Sequence, residues 1–231
     1  MSDDEIMLEG RVALLQISPL FKNMPRLDHD AIASCAVGVA YARDERLYAQ
    51  GQDFRSLVLL RSGSVKITQL SSQGSEVILR MHGTGSALGM FSNSPIGQNS
   101  CYTVEKSTAL KWNHTTFHSL KLSFPQIERN ANQIFSAQLA ELEERFREVS
   151  TENVNKRLAH ILLRLITNVG RNVGTGIEIS LSRDELAQMA GTTLFSVSRI
   201  VSQWASMGIV IPGRTLITVC SLSLLELEVS S

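Results

Sequence analysis

Ser196, Ser198, Arg199 and Gln203 stand together on the outer face of a short helical pattern near the end of the chain. They offer two hydroxyls, an amide and a guanidinium fork, groups that hydrogen-bond to base edges and phosphate oxygens. The inner face of the same pattern is Val197, Ile200, Val201 and Trp204, at helical spacing. A helix with a packed back and a donor-rich front is what duplex DNA readout requires.

The segment Ser182–Met207 contains the elements that would present this helix. Ser182 with Glu185 forms a capping box, and Leu181 with Leu186 has the spacing of a hydrophobic staple. Leu186, Ala187 and Ala190 make one apolar face of a first short helix, with Ala187 small where a second helix must cross. Gly191 interrupts it, and Thr192 or Thr193 caps the next helix. Gly208 supplies a left-handed stop. Two helices joined by a short glycine turn form the usual major-groove reader. An ordinary core hairpin shares the helix-Gly-helix pattern, but here cap, staple, small residue and turn coincide. Ile209-Val210-Ile211 and Thr215 to Val219 flank Pro212-Gly213-Arg214 and read as a β-hairpin. Directly after a recognition helix such a hairpin is a wing, and Arg214 at its tip would reach a phosphate.

Charge and composition set outer bounds. The chain has 231 residues, enough for two modest domains. Its 22 basic and 22 acidic residues balance, which counts mildly against DNA, so affinity per subunit is expected to be moderate and raised by dimerisation. No apolar run approaches the roughly 20 residues of a membrane span. The acidic start Met1-Ser2-Asp3-Asp4-Glu5 lacks the basic region of a secretory signal, so a cytoplasmic protein with no membrane partner is expected. Cys35, Cys101 and Cys220 are isolated, suit a reducing cytosol, and are each expected as a small buried hydrophobe. No nucleophile–base motif, phosphate loop or metal-ligand spacing suggests an enzyme.

Upstream, residues 8–40 look helical, with a second short helix over Leu27 to Val37. From about Leu47 short β-rich segments alternate with glycines. Gly51, Gly63, Gly74 and Gly85 are spaced 12, 11 and 11 residues apart, as in an antiparallel barrel or jelly roll with a turn at each glycine. Leu57–Leu60, Ser64–Thr68, Glu76–Arg80, Tyr102–Val104 and Thr108–Trp112 read as its strands. A long helix follows from Pro125 to Val149. Its Phe135, Leu139, Leu142, Phe146 and Val149 are spaced 4, 3, 4, 3, a coiled-coil seam for dimerisation, while Ile127, Ala131 and Ile134 face its own barrel. Thr151-Glu152-Asn153 caps a new helix, Val154 to Asn168; Gly170 to Gly176 reads as a loop and Ile177–Ser180 as a short strand. The fold class is α+β. An N-terminal jelly-roll-like β-roll with helices (1–124), a dimerisation helix (125–150) and a winged helix-turn-helix (151–231) are expected.

This order of parts resembles the cyclic-AMP receptor/FNR (CRP/FNR) family of bacterial transcription regulators from about Ser18 to Leu225. The resemblance rests on Leu47-x-x-x-Gly51, Leu59-x-x-x-Gly63-Ser64-Val65-Lys66, Gly74-x-Glu76-Val77-Ile78-Leu79 and Gly85-x-x-x-Gly89. It continues through Asn155-Lys156-Arg157-Leu158-Ala159-x-x-Leu162-Leu163 to Val197-Ser198-Arg199. It implies a homodimer with a sensory β-roll, bound to two-fold symmetric (palindromic) promoter sites and touching RNA polymerase.

Two departures stand out. Cyclic-nucleotide binders of the family carry Gly-Glu in the phosphate cassette and Arg-Ser or Arg-Thr about ten residues later. Here the pairs read Gly89-Met90 and, later, Gln98-Asn99-Ser100-Cys101, so a cyclic phosphate lacks its charge partner. The cysteine cluster of the iron–sulfur branch is absent too. These departures argue against cyclic AMP and an iron–sulfur cluster. Haem carrying nitric oxide or carbon monoxide is a candidate signal, with His82, His114 and His118 as candidate ligands, although surface histidine is the plainer reading of each. Leu88, Gly89, Met90, Asn99 and Ser100 mark the candidate effector pocket, and Leu88, Met90, Phe91 and Trp112 could line it or form barrel core. A regulator active without effector, or a sensory or adaptor module that contacts protein in place of DNA, are the alternatives.

By the resemblance, Arg199 reads guanine, with Thr193, Leu194, Phe195, Ser196 and Ser198 beside it at base edges. Ser182, Arg183, Thr192, Gln203 and Arg214 are expected at phosphates. Leu194 and Phe195 stand where relatives often carry Arg-Glu or Val-Glu, so the usual hydrogen bond from a cytosine amine is lost. Phe195 either meets a thymine methyl or folds back into the core. A half-site with a TTG-like core is expected.

Overall fold

Gly51, Gly63, Gly74 and Gly85 all adopt positive φ, between 79° and 84°, so the regular glycine spacing marks real turns. Gly63 is the most constrained of them. A Cβ there would fall 2.2 Å from Ser107 Oγ and 2.9 Å from the Lys106 carbonyl. The computed structural model describes residues 3–89 and 97–230. They divide into two units: residues 1–65 with 83–141, and residues 66–82 with 142–231.

The first unit opens with helix α1 (Asp3–Ile17), a 3-10 turn (Pro19–Phe21) and helix α2 (Arg26–Ser34). Next come strands β1 (Val37–Tyr41), β2 (Arg46–Tyr48) and β3 (Ser56–Ser62). Beyond the excursion into the second unit lie β6 (Ala87–Gly89), β7 (Ser100–Thr103), β8 (Ser107–Asn113) and helix α3 (His114–Ser123). β1, β8, β3 and β6 form an antiparallel sheet in that order, and β2 pairs antiparallel with β7. The sheet's inner face meets the N-terminal helices. Leu15, Leu20, Phe21, Ile32, Leu57, Leu59, Trp112, Phe117 and Ile127 are all buried in one cluster. Each such side chain contributes roughly 1.5–3 kcal/mol of apolar burial. Trp112 Nε1 donates to the Ile32 carbonyl at 3.0 Å, and its ring lies 5.9 Å from that of Phe21.

Helix α4 (Gln126–Thr151) is the long helix. Ile127 is buried, and Ala131 and Ile134 pack on the same cluster, as the second apolar face required. Buried Asn130 donates to the carbonyls of Leu20 and Lys22 at 2.9 and 2.8 Å. The five seam residues stand exposed, from 39% for Phe135 to 73% for Phe146.

The second unit holds strands β4 (Val65–Leu70) and β5 (Glu76–His82), neighbours in a sheet, and helix α5 (Val154–Val169). Asn153 caps α5, its side chain accepting the Lys156 N–H at 3.0 Å, and the chain bends there. Arg164 on α5 donates twice to the buried carboxylate of Glu148, at 2.6 and 2.8 Å. Strands β9 (Arg171–Val173) and β10 (Gly176–Ile179) precede helices α6 (Arg183–Ala190) and α7 (Leu194–Ser206). Strands β11 (Val210–Pro212) and β12 (Ile217–Val219) and helix α8 (Leu222–Ser230) complete the chain. The wing sheet runs β11-β12-β10-β9, all antiparallel.

Three expectations need correction. The helix expected over Leu27 to Val37 stops at Ser34, and Val37 starts a strand that pairs along β8. The expected loop of residues 170–176 contains β9, held by β10. Of the three cysteines only Cys101 is buried; Cys35 and Cys220 are exposed because each follows the end of an element, where no second layer covers it. Helix α8 is an addition to the sequence reading; it packs on α5 through fully buried Leu225.

Candidate nucleic-acid interface

The helix-turn-helix is assembled from local chemistry. Ser182 Oγ accepts the Glu185 N–H at 3.2 Å, and Glu185 Oε2 accepts the Ser182 N–H at 2.9 Å, which completes the capping box. Leu181 and Leu186 are both buried on the inner side of this cap. Gly191 ends α6 in the left-handed conformation at φ 58° and ψ 46°. Thr193, rather than Thr192, caps α7 by accepting the Ser196 N–H at 3.2 Å. Val197, Ile200, Val201 and Trp204 are buried, which fixes the opposite side of α7 as its outer face. Gly208 takes φ 71° and turns the chain into β11.

On that outer face Thr193, Leu194, Phe195, Arg199 and Gln203 are exposed, and Ser196 and Ser198 are half-buried. Ser202 joins them, exposed on the same face though outside the expected set. Phe195 is 79% exposed and Leu194 49%, so the ring does not fold back into the core. Arg214 is exposed at the wing tip. Thr192 and Arg183 are half-buried, and Arg183 Nε has no hydrogen-bond partner among the described residues. The Ser182 hydroxyl also donates to Glu185 Oε2 at 2.9 Å, so the hydrogen that a phosphate would accept is engaged in the cap.

Glu185 has a second partner with no sequence signal. Lys66 of β4 donates to Glu185 Oε1 at 2.7 Å across 119 residues of chain. Burial raises the Glu185 carboxyl, but hydrogen bonds from Lys66 and Ser182 outweigh it and hold the group below the ordinary carboxylate value.

The candidate effector residues are placed differently. Leu88 is buried in β6 opposite Val58. Gly89 has φ 98°, and a Cβ there would meet the Ser56 carbonyl at 2.2 Å and the Phe54 ring. Buried Ser100 accepts the Gln50 N–H through its hydroxyl at 3.0 Å, and Asn99 is half-buried. Met90 and Phe91 lie outside the described residues. Trp112 belongs to the core cluster, not to a pocket wall. Burial, helped by Arg80, pulls the imidazole of His82 down to about 4, so it is neutral at pH 7. His114 and His118 are exposed on α3 with ring centroids 6.1 Å apart.

Two family models match: a cyclic nucleotide-binding domain over residues 38–123 and a Crp-like helix-turn-helix domain over residues 156–227. The chain belongs to the CRP/FNR family of transcription regulators. Among CRP/FNR relatives, the cyclic AMP receptor protein of Thermus thermophilus is 27% identical over 211 residues, covering 90% of this chain and 95% of that protein. The probable transcriptional regulator flp of Lacticaseibacillus casei is 28% identical and covers 82% of this chain and 85% of its own length. The structure of FixK2 from Bradyrhizobium japonicum superposes with a TM-score of 0.72 at 21% identity, over 83% of this chain and 96% of that one. Other similar proteins are named as regulators too, among them the electron transport regulator A of Shewanella oneidensis. Among the described residues no helix is long and apolar enough to cross a membrane. The CRP/FNR family also fixes the broad function, a DNA-binding transcription regulator with a sensory domain.

Proposed function

We propose that this regulator works as a homodimer in the cytoplasm, where its DNA lies, and reads a palindromic promoter site with α7 while the β-roll senses a signal other than a cyclic nucleotide. The observation that carries this reading is the capped α6–Gly191–α7 unit, which exposes Arg199 at the centre of a donor-rich face. Arg199 would take O6 and N7 of guanine, and Arg214, Arg183, Thr192 and Gln203 phosphates. Ser182 supports that contact as cap, through the α6 N-terminus. Thr193, Ser196 and Ser198 complete the base-facing set. The exposed seam of α4 supports dimerisation and a separate role for residues 125–150 between the sensory part and residues 151–231. Residues around Gly89 and Ser100 supply no cationic side chain in sequence for a cyclic phosphate, which favours another signal; haem, nitric oxide and redox changes are the ones to add first. Contact with RNA polymerase and the absence of catalysis belong to the same reading.

Selection of bound duplexes from a random DNA pool tests it. The expected result is a symmetric motif with half-sites about one helical turn apart. No enrichment, with or without haem and nitric oxide, would overturn it.

A further inference from the structure

Phe195 runs against local helix chemistry. It is the second residue of α7, two positions past the Thr193 cap and within the first turn, where free N–H groups and the helix dipole favour a carboxylate. A phenyl ring answers neither. At 79% exposure it is the most exposed aromatic ring among the described residues, and Leu194 beside it is 49% exposed. Keeping such a patch in water has a hydration cost that a contact would recover.

The surroundings indicate what makes that contact. Arg199 follows Phe195 by one helical turn on the same exposed face. No Asp or Glu occurs from Leu194 to Ser206, so nothing on this helix repels a phosphate backbone or accepts the amine of cytosine. In the major groove the one apolar group on a base edge is the C5 methyl of thymine. Four residues of helix rise about 6 Å, close to two base-pair steps of roughly 3.4 Å.

Building on the DNA-reading assignment above, we infer that Phe195 is a specificity-determining residue that reads a thymine methyl within about two base pairs of the guanine taken by Arg199, with Leu194 widening the apolar contact. The property recognised is the methyl itself. Deoxyuridine at that position therefore removes the recognition while keeping every hydrogen bond, and 5-methylcytosine restores part of it.

The test uses the full-length protein and its selected duplex, remade with deoxyuridine at one thymine position at a time. Binding by the wild-type protein is expected to fall roughly fourfold per half-site at one position, the cost of one buried methyl. Phe195→Ala is expected to bind the thymine and deoxyuridine duplexes equally. Phe195→Glu is expected to shift the preference at that position to cytosine, and circular dichroism confirms that both variants fold. Indifference of the wild-type protein to deoxyuridine at every position would overturn the inference and leave the Arg199 reading intact. Discrimination that persists in Phe195→Ala would also overturn it. Failure to select any duplex, for instance because the patch binds a protein, would overturn both.

Discussion

Lys66 Nζ lies 2.7 Å from Glu185 Oε1, and so joins the β4–β5 hairpin to the helix that starts the helix-turn-helix. The two side chains are only 20% and 21% exposed, so the pair is shielded more than an ordinary surface bridge. Lys66→Met is expected to destabilise the protein by about 1 kcal/mol, since it leaves a partly buried carboxylate short of one partner. The Glu185 carboxyl is held below its ordinary value of 4.5 in the folded protein. Its contribution is thus complete above that ordinary value and disappears as the pH falls through the lower folded one. Urea unfolding of both proteins at pH 7 and in acid checks this: the gap between them should narrow in acid.

Arg199 is exposed at the centre of the outer face of α7. Arg199→Ala is expected to cost about 1–3 kcal/mol of binding to the selected duplex and to flatten preference at the guanine position. Arg214→Ala should instead weaken all duplexes alike and lower the salt dependence of binding. An unchanged sequence preference in Arg199→Ala would remove that residue from the reading set.

The seam on α4 leaves Leu139 58% and Phe146 73% exposed. Leu139→Glu with Phe146→Glu is expected to convert a dimer to a monomer in sedimentation velocity with the circular dichroism spectrum unchanged. Affinity for a palindromic duplex should fall far more than affinity for a single half-site, because linkage of the two readers is what is lost.

Cys101 is buried in β7, and its thiol is pushed up to about 12 by burial, only partly offset by its hydrogen bond with Tyr48. The folded protein is expected to react with iodoacetamide at Cys35 and Cys220 and to spare Cys101 at pH 8. Mass spectrometry should find two labels on the native chain and three after denaturation.

The parts legible in the sequence are those whose cause is local. The Ser182–Glu185 box, the Gly191 turn and the inward set Val197, Ile200, Val201 and Trp204 each depend on residues within a few positions of one another. The positive φ of the four turn glycines is likewise a local matter, although the close approach of Ser107 to Gly63 is not. The misses depend on partners distant in sequence. Val37–Tyr41 is an edge strand with no clean inside–outside alternation, and only its pairing with β8 makes it a strand. Arg171–Val173 is likewise an edge, held from one side by β10. The residues of α8 become a helix against α5, and Lys66 finds Glu185 only once the hairpin is folded. Phe195 was legible as a departure, but whether its ring faces outward depended on the packing of α7.

The Trp112–Ile32 hydrogen bond bears on how this protein can be cut. The sensory-domain family model begins at residue 38, yet Leu15, Leu20, Phe21 and Ile32, all upstream of that border, cover Trp112 and Phe117. An expression fragment trimmed to the border would leave a tryptophan, a phenylalanine and one face of a sheet bare to solvent, and insoluble material would be the result. Fragments for ligand screening should therefore start ahead of α1.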